Sequence, residues 1–324
     1  MNRRWVLLLG CLLVVLGCQK EAARQSATLP MPSVAAHLQI KPLQAAGLHN
    51  VFQVTGKLYS GSSPEGPQGF RSLQKLGIRT IISVDGAMPD VEGARQFGLC
   101  YVHLPFGYDG IPKDRGMELA LAVKELPGPI YLHCHHGKHR GPAAVAAIIR
   151  CLDEQCTVND ALAWLKQAGT DPHYRGLYDV PLSFTPARFQ TFQPKANAFP
   201  ERNNVSNLSR LMVEMEHRID HLKRIQKADW QTPPEHPDLD PPHEALLLWE
   251  GYQETGRLEL ADYPQGMQQQ LKDAQTAVKE LENYLRLPRD ERTAKKMSIE
   301  QAFFKVAADC TRCHARYRDQ PRDR

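Results

Sequence analysis

Residues 133–141 read His-Cys-His-His-Gly-Lys-His-Arg-Gly, and this stretch decides how the first half of the chain folds and reacts. Cys134 and Arg140 are separated by five residues, after an apolar run that predicts a strand and before a run that predicts a helix. The backbone amides of such a loop point at an anion, and an arginine can bind two of its oxygens. A cysteine at this spacing lies beneath the phosphorus for in-line attack. The stretch therefore predicts a site for phosphate monoesters at a strand-to-helix turn.

The residues around this stretch, 48–180, alternate between strand-like and helix-like runs. The predicted strands are the apolar runs Val51–Val54, Ile78–Val84, Leu99–Leu104 and Ile130–His133. The predicted helices are Gln68–Leu76, Val91–Phe97, Lys113–Leu126, Pro142–Cys151 and Val158–Gln167. Such alternation predicts an α/β domain with a mainly parallel sheet covered by helices.

The His-Cys-x5-Arg signature, with a strand before it and Pro142 opening the next helix, resembles the protein tyrosine phosphatase superfamily. The compact dual-specificity branch is the most similar. The resemblance implies that Cys134 is the nucleophile that forms a phosphocysteine and that Arg140 binds the phosphate. It also implies a phosphate-binding loop made of His135, His136, Gly137, Lys138, His139 and Arg140. The expected substrate is a phosphorylated protein or a small phosphomonoester.

Members of this family also carry an aspartic acid that protonates the leaving oxygen from a loop after the preceding strand. Asp109 follows the predicted strand Leu99–Leu104, and it is our prediction for the general acid. Asp114 is the second candidate, and Asp85 follows another strand end and could contribute. Each aspartate is also an ordinary turn residue.

Two features of the loop depart from the family. Gly141 follows the arginine where relatives carry Ser or Thr, whose hydroxyl eases departure of the thiolate, so slow or absent turnover is an alternative. The loop is also rich in histidine, at His133, His135, His136 and His139. Imidazoles suit transition metals, so metal binding together with Cys134 is a second alternative. Thiol-redox or sulfur-handling chemistry at Cys134 is a third.

A second signature lies near the C-terminus, where residues 310–314 read Cys-Thr-Arg-Cys-His. This Cys-x-x-Cys-His pattern is typical of covalent haem attachment. Alone it could be half of a zinc site, but no second Cys-x-x-Cys pair occurs in this part of the sequence. The pattern predicts one covalent haem c attached at Cys310 and Cys313.

The residues that precede this motif predict helices. Residues 203–324 carry an apolar stripe at helical spacing, made of Leu208, Leu211, Met215, Ile219, Leu222 and Ile225. Further helices are expected at about 243–256, 265–286 and 298–318. Four helices in this length predict an all-α four-helix bundle.

The motif late in the last helix resembles cytochrome c prime and the related four-helix-bundle cytochromes. The resemblance implies that His314 is the proximal iron ligand. Residues 222–229 resemble the equivalent part of the b-type bundle cytochromes, and in that register Met215 is the distal ligand. A core methionine is the alternative, and Met212, His217 and His221 are rival ligands. With no sixth ligand, the iron would be five-coordinate and open to small gases.

The N-terminus predicts export. Arg3 and Arg4 precede an apolar run that is short for a membrane span, and residues 15–18 resemble a bacterial lipobox ending at Cys18. We expect residues 1–17 to be a lipoprotein signal peptide, Cys18 to be lipidated and residues 18–47 to be a tether. An ordinary signal peptide is the alternative. The prediction is a periplasmic lipoprotein anchored to the membrane.

The net charge and the cysteine content limit the remaining classes of function. The net charge is +4, and removing residues 1–17 takes away Arg3 and Arg4, which leaves +2. That charge makes no electrostatic case for nucleic acid. Among the eight cysteines, Cys151 and Cys156 are close enough in sequence to form a disulfide outside the cytoplasm. Cys100 lies in an apolar run and is expected to be a buried thiol.

Residues 181–202 contain several prolines and predict a linker between the two domains. The combined expectation is an exported phosphatase whose haem senses redox state or gas. The alternative is an electron-transfer or haem-sensor cytochrome, working with a redox partner protein, whose first domain has little catalytic power.

Overall fold

The computed structural model describes residues 40–194, 198–258 and 263–321. The predicted signal peptide, the predicted lipidation site Cys18 and most of the predicted tether lie outside the described residues. Within the described ranges, no helix has the length and apolar character needed to cross a membrane.

The first part of the chain forms a mixed, mainly parallel sheet, which confirms the predicted α/β class. Its described strands are β1 (Lys41–Ala45), β2 (Leu48–Gln53), β3 (Leu58–Ser62), β4 (Thr80–Ser83), β5 (Cys100–His103) and β6 (Ile130–Cys134). Their order in the sheet is β1-β2-β3-β6-β4-β5. The pairs β3–β6, β6–β4 and β4–β5 are parallel, whereas β1 and β2 add an antiparallel hairpin at one edge.

Helices cover both faces of this sheet. They are α1 (Gly66–Lys75), α2 (Val91–Arg95), α3 (Lys113–Glu125), α4 (Arg140–Leu152), α5 (Val158–Gln167), α6 (Arg175–Tyr178), α7 (Val180–Ser183) and α8 (Pro186–Gln190). Residues of α3, α4 and α5 share one core with the sheet, and residues of α1 and α2 share another. Helix α4 is buried almost throughout, and four of its residues are alanine. Small side chains let a helix approach a sheet closely, so the start of α4 is fixed against the end of β6.

Elements that pack with the sheet domain extend past both of its predicted boundaries. Strand β1 lies within the predicted tether, because backbone pairing with β2 orders residues that have few apolar side chains to bury. The predicted linker 181–202 contains α7 and α8 and packs on the sheet domain. The Arg95 guanidinium donates to the Glu201 carboxylate at 2.7 Å, and the His103 amide donates to the Pro200 carbonyl at 2.8 Å. The domain therefore extends to about residue 203.

The rest of the chain is helical, as predicted. Its described helices are α9 (Asn207–Lys227), α10 (Pro241–Arg257), α11 (Gln265–Leu285), the short α12 (Arg289–Ala294) and α13 (Lys296–Tyr317). The four long helices share one apolar core that includes Met215, Leu222 and Ile225 of the predicted stripe. Helix α9 packs along α10, α10 packs along α11, and α11 packs along α13. Within the described residues, α9 and α13 meet instead at one end, where Gln226 and Trp230 donate hydrogen bonds to Glu300.

Two predictions about cysteines are wrong. Cys151 and Cys156 are free thiols. The Cys151 sulfur lies 3.8 Å from the Met117 sulfur, and the Cys156 sulfur points at the Thr157 carbonyl instead. Burial raises the pKa of Cys151 to about 12 and that of Cys156 to about 11, so both stay protonated. Cys100 is exposed, because β5 is the edge strand of the sheet.

Candidate active site

The predicted phosphate loop connects the end of β6 to the start of α4. Cys134 is the last residue of β6 and is 3% exposed, and α4 begins at Arg140. Gly137 has a φ of +70°, and a Cβ there would lie 2.3 Å from the Gly61 carbonyl carbon, so only glycine fits. Parallel pairing of β3 with β6 brings these two segments together.

Hydrogen bonds from outside the loop fix its carbonyl groups. The Asn50 side chain donates to the Gly137 carbonyl at 2.9 Å, and the Thr170 hydroxyl donates to the Lys138 carbonyl at 2.8 Å. Within the described residues, the amides of 136–139 donate to no backbone carbonyl. These amides, at the N-terminus of a long buried helix, are donors available to an anion.

Arg140 is held in place with one donor left open. Its Nη2 donates to Asp85 Oδ2 at 3.0 Å, and its guanidinium carbon lies 4.7 Å from the centre of the Tyr108 ring. The side chain is buried, yet its Nε has no hydrogen-bond partner among the described residues. Burying a guanidinium nitrogen without a hydrogen bond costs free energy unless a ligand binds it. The unpaired Nε therefore indicates an anion-binding site.

Asp85 serves as the partner of Arg140. Burial alone would raise the pKa of Asp85, but the Arg140 guanidinium and the Ala87 amide outweigh it and hold that pKa at about 2. The carboxylate is therefore ionised at neutral pH and has no proton to donate. Asp85, expected as a contributor to acid catalysis, instead fixes the arginine.

The histidine before the cysteine is structural. A hydrogen bond of 2.6 Å joins His133 Nε2 to the Tyr101 hydroxyl, and Nδ1 lies 3.3 Å from the Cys134 carbonyl oxygen. Burial lowers the pKa of His133 to about 4, so the ring is neutral. The His133–Tyr101 hydrogen bond links β6 to β5 across the intervening strand β4.

Asp109 lies on the segment between β5 and α3. Its neighbour Tyr108 covers the Arg140 guanidinium. The Asp109 backbone packs against Gly176, where a Cβ would lie 2.3 Å from the Asp109 carbonyl carbon. Asp114 instead occupies the first turn of α3, where a carboxylate stabilises the helix dipole. The position of Asp109 next to the tyrosine that covers Arg140 favours it over Asp114.

The Ser60 hydroxyl lies next to the space beside Gly141. A Cβ at this position would lie 3.6 Å from the Cys134 sulfur and 3.7 Å from the Ser60 hydroxyl oxygen. That hydroxyl is buried and has no hydrogen-bond partner among the described residues. Ser60 thus brings a free hydroxyl to the space that a Ser or Thr side chain at position 141 would enter. Sequence reasoning missed it, because its position depends on the register of β3 against β6.

The helical region lies against the mouth of the loop. His135 Nε2 donates to Asp220 Oδ2 of α9 at 3.2 Å, and the His135 and His217 rings are 4.9 Å apart. At the end of α13, the Arg318 guanidinium lies 4.1 Å from the centre of the Tyr108 ring. His217 is therefore beside the phosphate loop and outside the bundle core, so it is no rival iron ligand. His221 is also engaged elsewhere, donating to the Glu244 carboxylate at 2.9 Å.

The predicted haem motif occupies one side of α13. Cys310, Cys313 and His314 are half-buried, and both thiols are free. Positions three and four apart share a helix face, so these side chains can meet one flat group. Burial lowers the pKa of His314 to about 4, which leaves the ring neutral, as an iron ligand must be.

Met215 lies at the same level of the bundle as this motif. A Cβ on Gly251 would be 2.7 Å from Met215 Cγ, and the next residue, Tyr252, places its hydroxyl 3.2 Å from the Cys310 sulfur. The free thiols, the neutral imidazole and the buried thioether fit a covalent haem.

The chain matches no protein-family model and no curated protein. Among solved structures, it is similar to P. aeruginosa TpbA in complex with pTyr, with 18% identity, a TM-score of 0.41, and coverage of 49% of this chain and 99% of that one. It is also similar to the core catalytic domain of the PP-IP phosphatase SIW14 of S. cerevisiae, with 15% identity, a TM-score of 0.37, and coverage of 43% and 88%. Human DUSP28 follows with 18% identity, a TM-score of 0.33, and coverage of 45% and 97%. Likeness at this level assigns no activity, so the chemistry has to come from the loop itself.

Proposed function

We propose that the chain hydrolyses phosphate monoesters through Cys134. The observation that carries this proposal is the buried Nε of Arg140, which has no hydrogen-bond partner in the described part of the chain and stands in the same loop as the Cys134 thiol and the open amides of 136–139. Together they form a positively charged, water-poor cradle with a nucleophile at its base. A phosphate with two negative charges matches these donors.

The chemistry proceeds in two displacements. The Cys134 thiolate attacks phosphorus, the bond to the leaving oxygen breaks, and Asp109 gives that oxygen a proton. Arg140 and the loop amides stabilise charge on the three non-reacting oxygens. Water then attacks the phosphocysteine, Asp109 takes its proton, and the thiolate leaves as inorganic phosphate forms.

The second displacement needs help for the departing thiolate, and Gly141 supplies none. The buried Ser60 hydroxyl flanks the same space as the Cys134 sulfur and has no other described partner. We assign to Ser60 the hydrogen bond that stabilises the departing sulfur. The reaction therefore turns over despite the glycine.

A phosphorylated protein or a small phosphomonoester is the proposed substrate. The helical region covers the mouth of the loop through Asp220 and Arg318. Entry of a substrate therefore requires these contacts to move, which makes the position of the helical region a means of control.

We further propose one covalent haem c attached at Cys310 and Cys313, with His314 as the proximal ligand and Met215 as the distal one. When bound, the haem supplies a one-electron redox couple and, without the distal ligand, a site for small gases. The helix that carries the motif ends at Tyr317, and the following Arg318 lies over Tyr108 of the phosphatase site. This continuity supports control of the phosphatase by the state of the haem.

From residues 1–18 we further propose that the protein is exported and lipidated at Cys18. It would then lie in the periplasm on a membrane, within reach of a redox partner protein. The second candidate function is an electron-transfer or haem-sensor cytochrome whose first domain only binds an anion. The observation that favours it is the near-complete burial of Cys134.

The test is an assay of the purified mature protein on a small aryl phosphate, in both oxidation states of the haem. Cys134→Ser should lower the rate by at least about 1,000-fold while the haem spectrum stays unchanged, because the hydroxyl is a far poorer nucleophile than the thiolate. Cys100→Ser, which alters an exposed thiol, is the matched control. Activity that survives in Cys134→Ser removes this site from the mechanism.

A further inference from the structure

Three histidines and two carboxylates gather where α9 meets the phosphate loop. His135 and His136 directly follow Cys134, and Glu216, His217 and Asp220 project from α9. The coordinating atoms of His135, His136 and Asp220 all lie within 4.8 Å of one another. Beyond these three, His136 Nε2 is 3.9 Å from a Glu216 oxygen, and the His217 ring is 4.9 Å from the His135 ring.

We propose that His135, His136 and Asp220 bind a divalent transition-metal ion of the zinc type, which links the phosphate loop to α9. Two imidazoles and one carboxylate suit zinc and its neighbours, whereas calcium and magnesium prefer oxygen ligands alone. Glu216 or His217 can supply the fourth ligand. Neither the proposed phosphatase reaction nor the proposed haem uses this cluster.

The geometry is close to that of an occupied site. Ligand atoms bound to a tetrahedral zinc ion at about 2.0–2.2 Å lie about 3.3–3.6 Å apart. In the structure, Asp220 Oδ2 is 3.2 Å from His135 Nε2 and 3.8 Å from His136 Nε2. The His136 side chain is half-exposed, so rotation about its own bonds can bring its nitrogen the remaining distance.

Cys134 is not part of this site. Its thiol lies at the buried base of the loop, whereas His135 and His136 turn outward to α9. The metal therefore binds at the rim, and the nucleophile stays free. This arrangement replaces the sequence-based alternative in which the imidazoles would bind a metal together with Cys134.

One consequence rests on the proposed phosphatase function. An ion at the rim would hold α9 over the loop and close the route to Cys134. Removing the metal would release one of the contacts that cover the site, so a chelator should raise phosphatase activity. The metal site itself is testable without any phosphate substrate.

The rival interpretation is a plain ion pair between a protonated His135 and Asp220. Isothermal titration of Zn²⁺ into the full mature protein, prepared without a histidine tag, distinguishes the two. His136→Asn and Asp220→Asn should each weaken one zinc site by at least about tenfold. His173→Asn, which changes a half-exposed histidine outside the cluster, should leave that site unchanged, and so should Cys134→Ser.

Co²⁺ in place of Zn²⁺ gives an independent readout of the ligands. The expected spectrum is that of nitrogen and oxygen ligands, without the strong sulfur-to-metal charge-transfer band of a thiolate. Zinc binding that His136→Asn and Asp220→Asn both leave intact would overturn the proposal, as would a site lost in Cys134→Ser. Because no phosphatase assay enters these measurements, their failure leaves the proposed function standing, and an inactive enzyme leaves the metal site standing.

Discussion

The phosphate loop and the Cys-x-x-Cys-His segment are both short cysteine motifs, but they stand in very different surroundings. The base of the loop is buried at Cys134, Gly137 and Arg140, and Asn50, Thr170 and Asp85 hold its backbone and its arginine from outside. The cysteines and histidine of the second motif are half-buried on one helix, and the one described side-chain partner of these three residues is the Tyr252 hydroxyl. The phosphate loop already has the donors of an anion-binding site in place. The Cys-x-x-Cys-His segment instead offers attachment points for a haem.

This difference shows what local geometry can establish. Every part of the proposed phosphatase chemistry comes from the chain itself, so an open donor on Arg140 already indicates a ligand. The haem proposal requires a group from outside and ligands from two helices that are distant in sequence. The haem proposal is therefore supported by the types of residue present and by their position at the same level of the bundle.

Asp85→Asn should produce the largest effect, because it leaves the buried Arg140 charge without its partner. We expect a loss of about 3 kcal/mol in the free energy of unfolding at neutral pH. Urea unfolding followed by circular dichroism measures it. As a control, Glu201→Gln removes the exposed partner of Arg95 and should leave the free energy of unfolding almost unchanged.

The same pair has a defined pH dependence. The pKa of Asp85 is about 2 in the folded protein, against an ordinary value of 3.8. A lowered acid pKa stabilises the folded state above the ordinary value, and that stabilisation is lost as the pH falls from about 4 to about 2. The variant should lack this part of the acid transition. Equal acid profiles for both proteins would show that the pair contributes nothing.

Asp109→Asn should lower turnover by about 100-fold on an alkyl phosphate and far less on an aryl phosphate with an acidic leaving group. A general acid matters most when the departing oxygen is basic. Steady-state rates on both substrates give the comparison, and Asp114→Asn is the matched control. If both substrates lose the same factor, Asp109 is structural and Asp114 becomes the candidate.

Met215→Ala tests the second motif. The reduced haem should change from a low-spin, six-coordinate spectrum to a five-coordinate one, and the reduction potential should decrease, because a thioether stabilises ferrous iron. Met212→Ala, at a half-buried neighbouring methionine, is the control. A wild-type spectrum that is already high-spin would mean that Met215 is core packing and that the domain binds gases.

Gly141→Ser should have the smallest effect, a rise of about two- to fivefold in the slow phase after the burst, since one hydrogen bond is added where Ser60 already provides one. The new Cβ meets atoms only at 3.5 Å and beyond, so the loop has room for it. Ser60→Ala should slow the same phase. If neither variant changes the slow phase, hydroxyl assistance does not limit turnover.

How much the sequence predicted depends on how local each feature is. The strand, loop and first helical turn from Ile130 to Arg140 are contiguous, so their pattern was readable. The four long helices followed from periodicity in the same way. The partner of Arg140 was not readable, because Asp85 reaches it only through the neighbouring position of β4 and β6. His135 and Asp220 are 85 residues apart in the sequence, and nothing in either segment indicates the other.

The errors have the same origin. Cys100 looked buried because its strand is apolar, but the order of strands puts it at an edge. Cys151 and Cys156 looked paired because they are close in sequence, but α4 directs one thiol into the core towards Met117.

The central claim is that Cys134 forms a covalent bond to phosphorus. Rapid acid quenching of the protein during turnover of an aryl phosphate, followed by mass spectrometry of its peptides, tests it directly. We predict one phosphoryl group on the peptide that contains Cys134, formed in the burst and absent in Cys134→Ser. Steady turnover with no phosphoryl group on Cys134 at any quench time, or a phosphoryl group on another residue, would contradict the account.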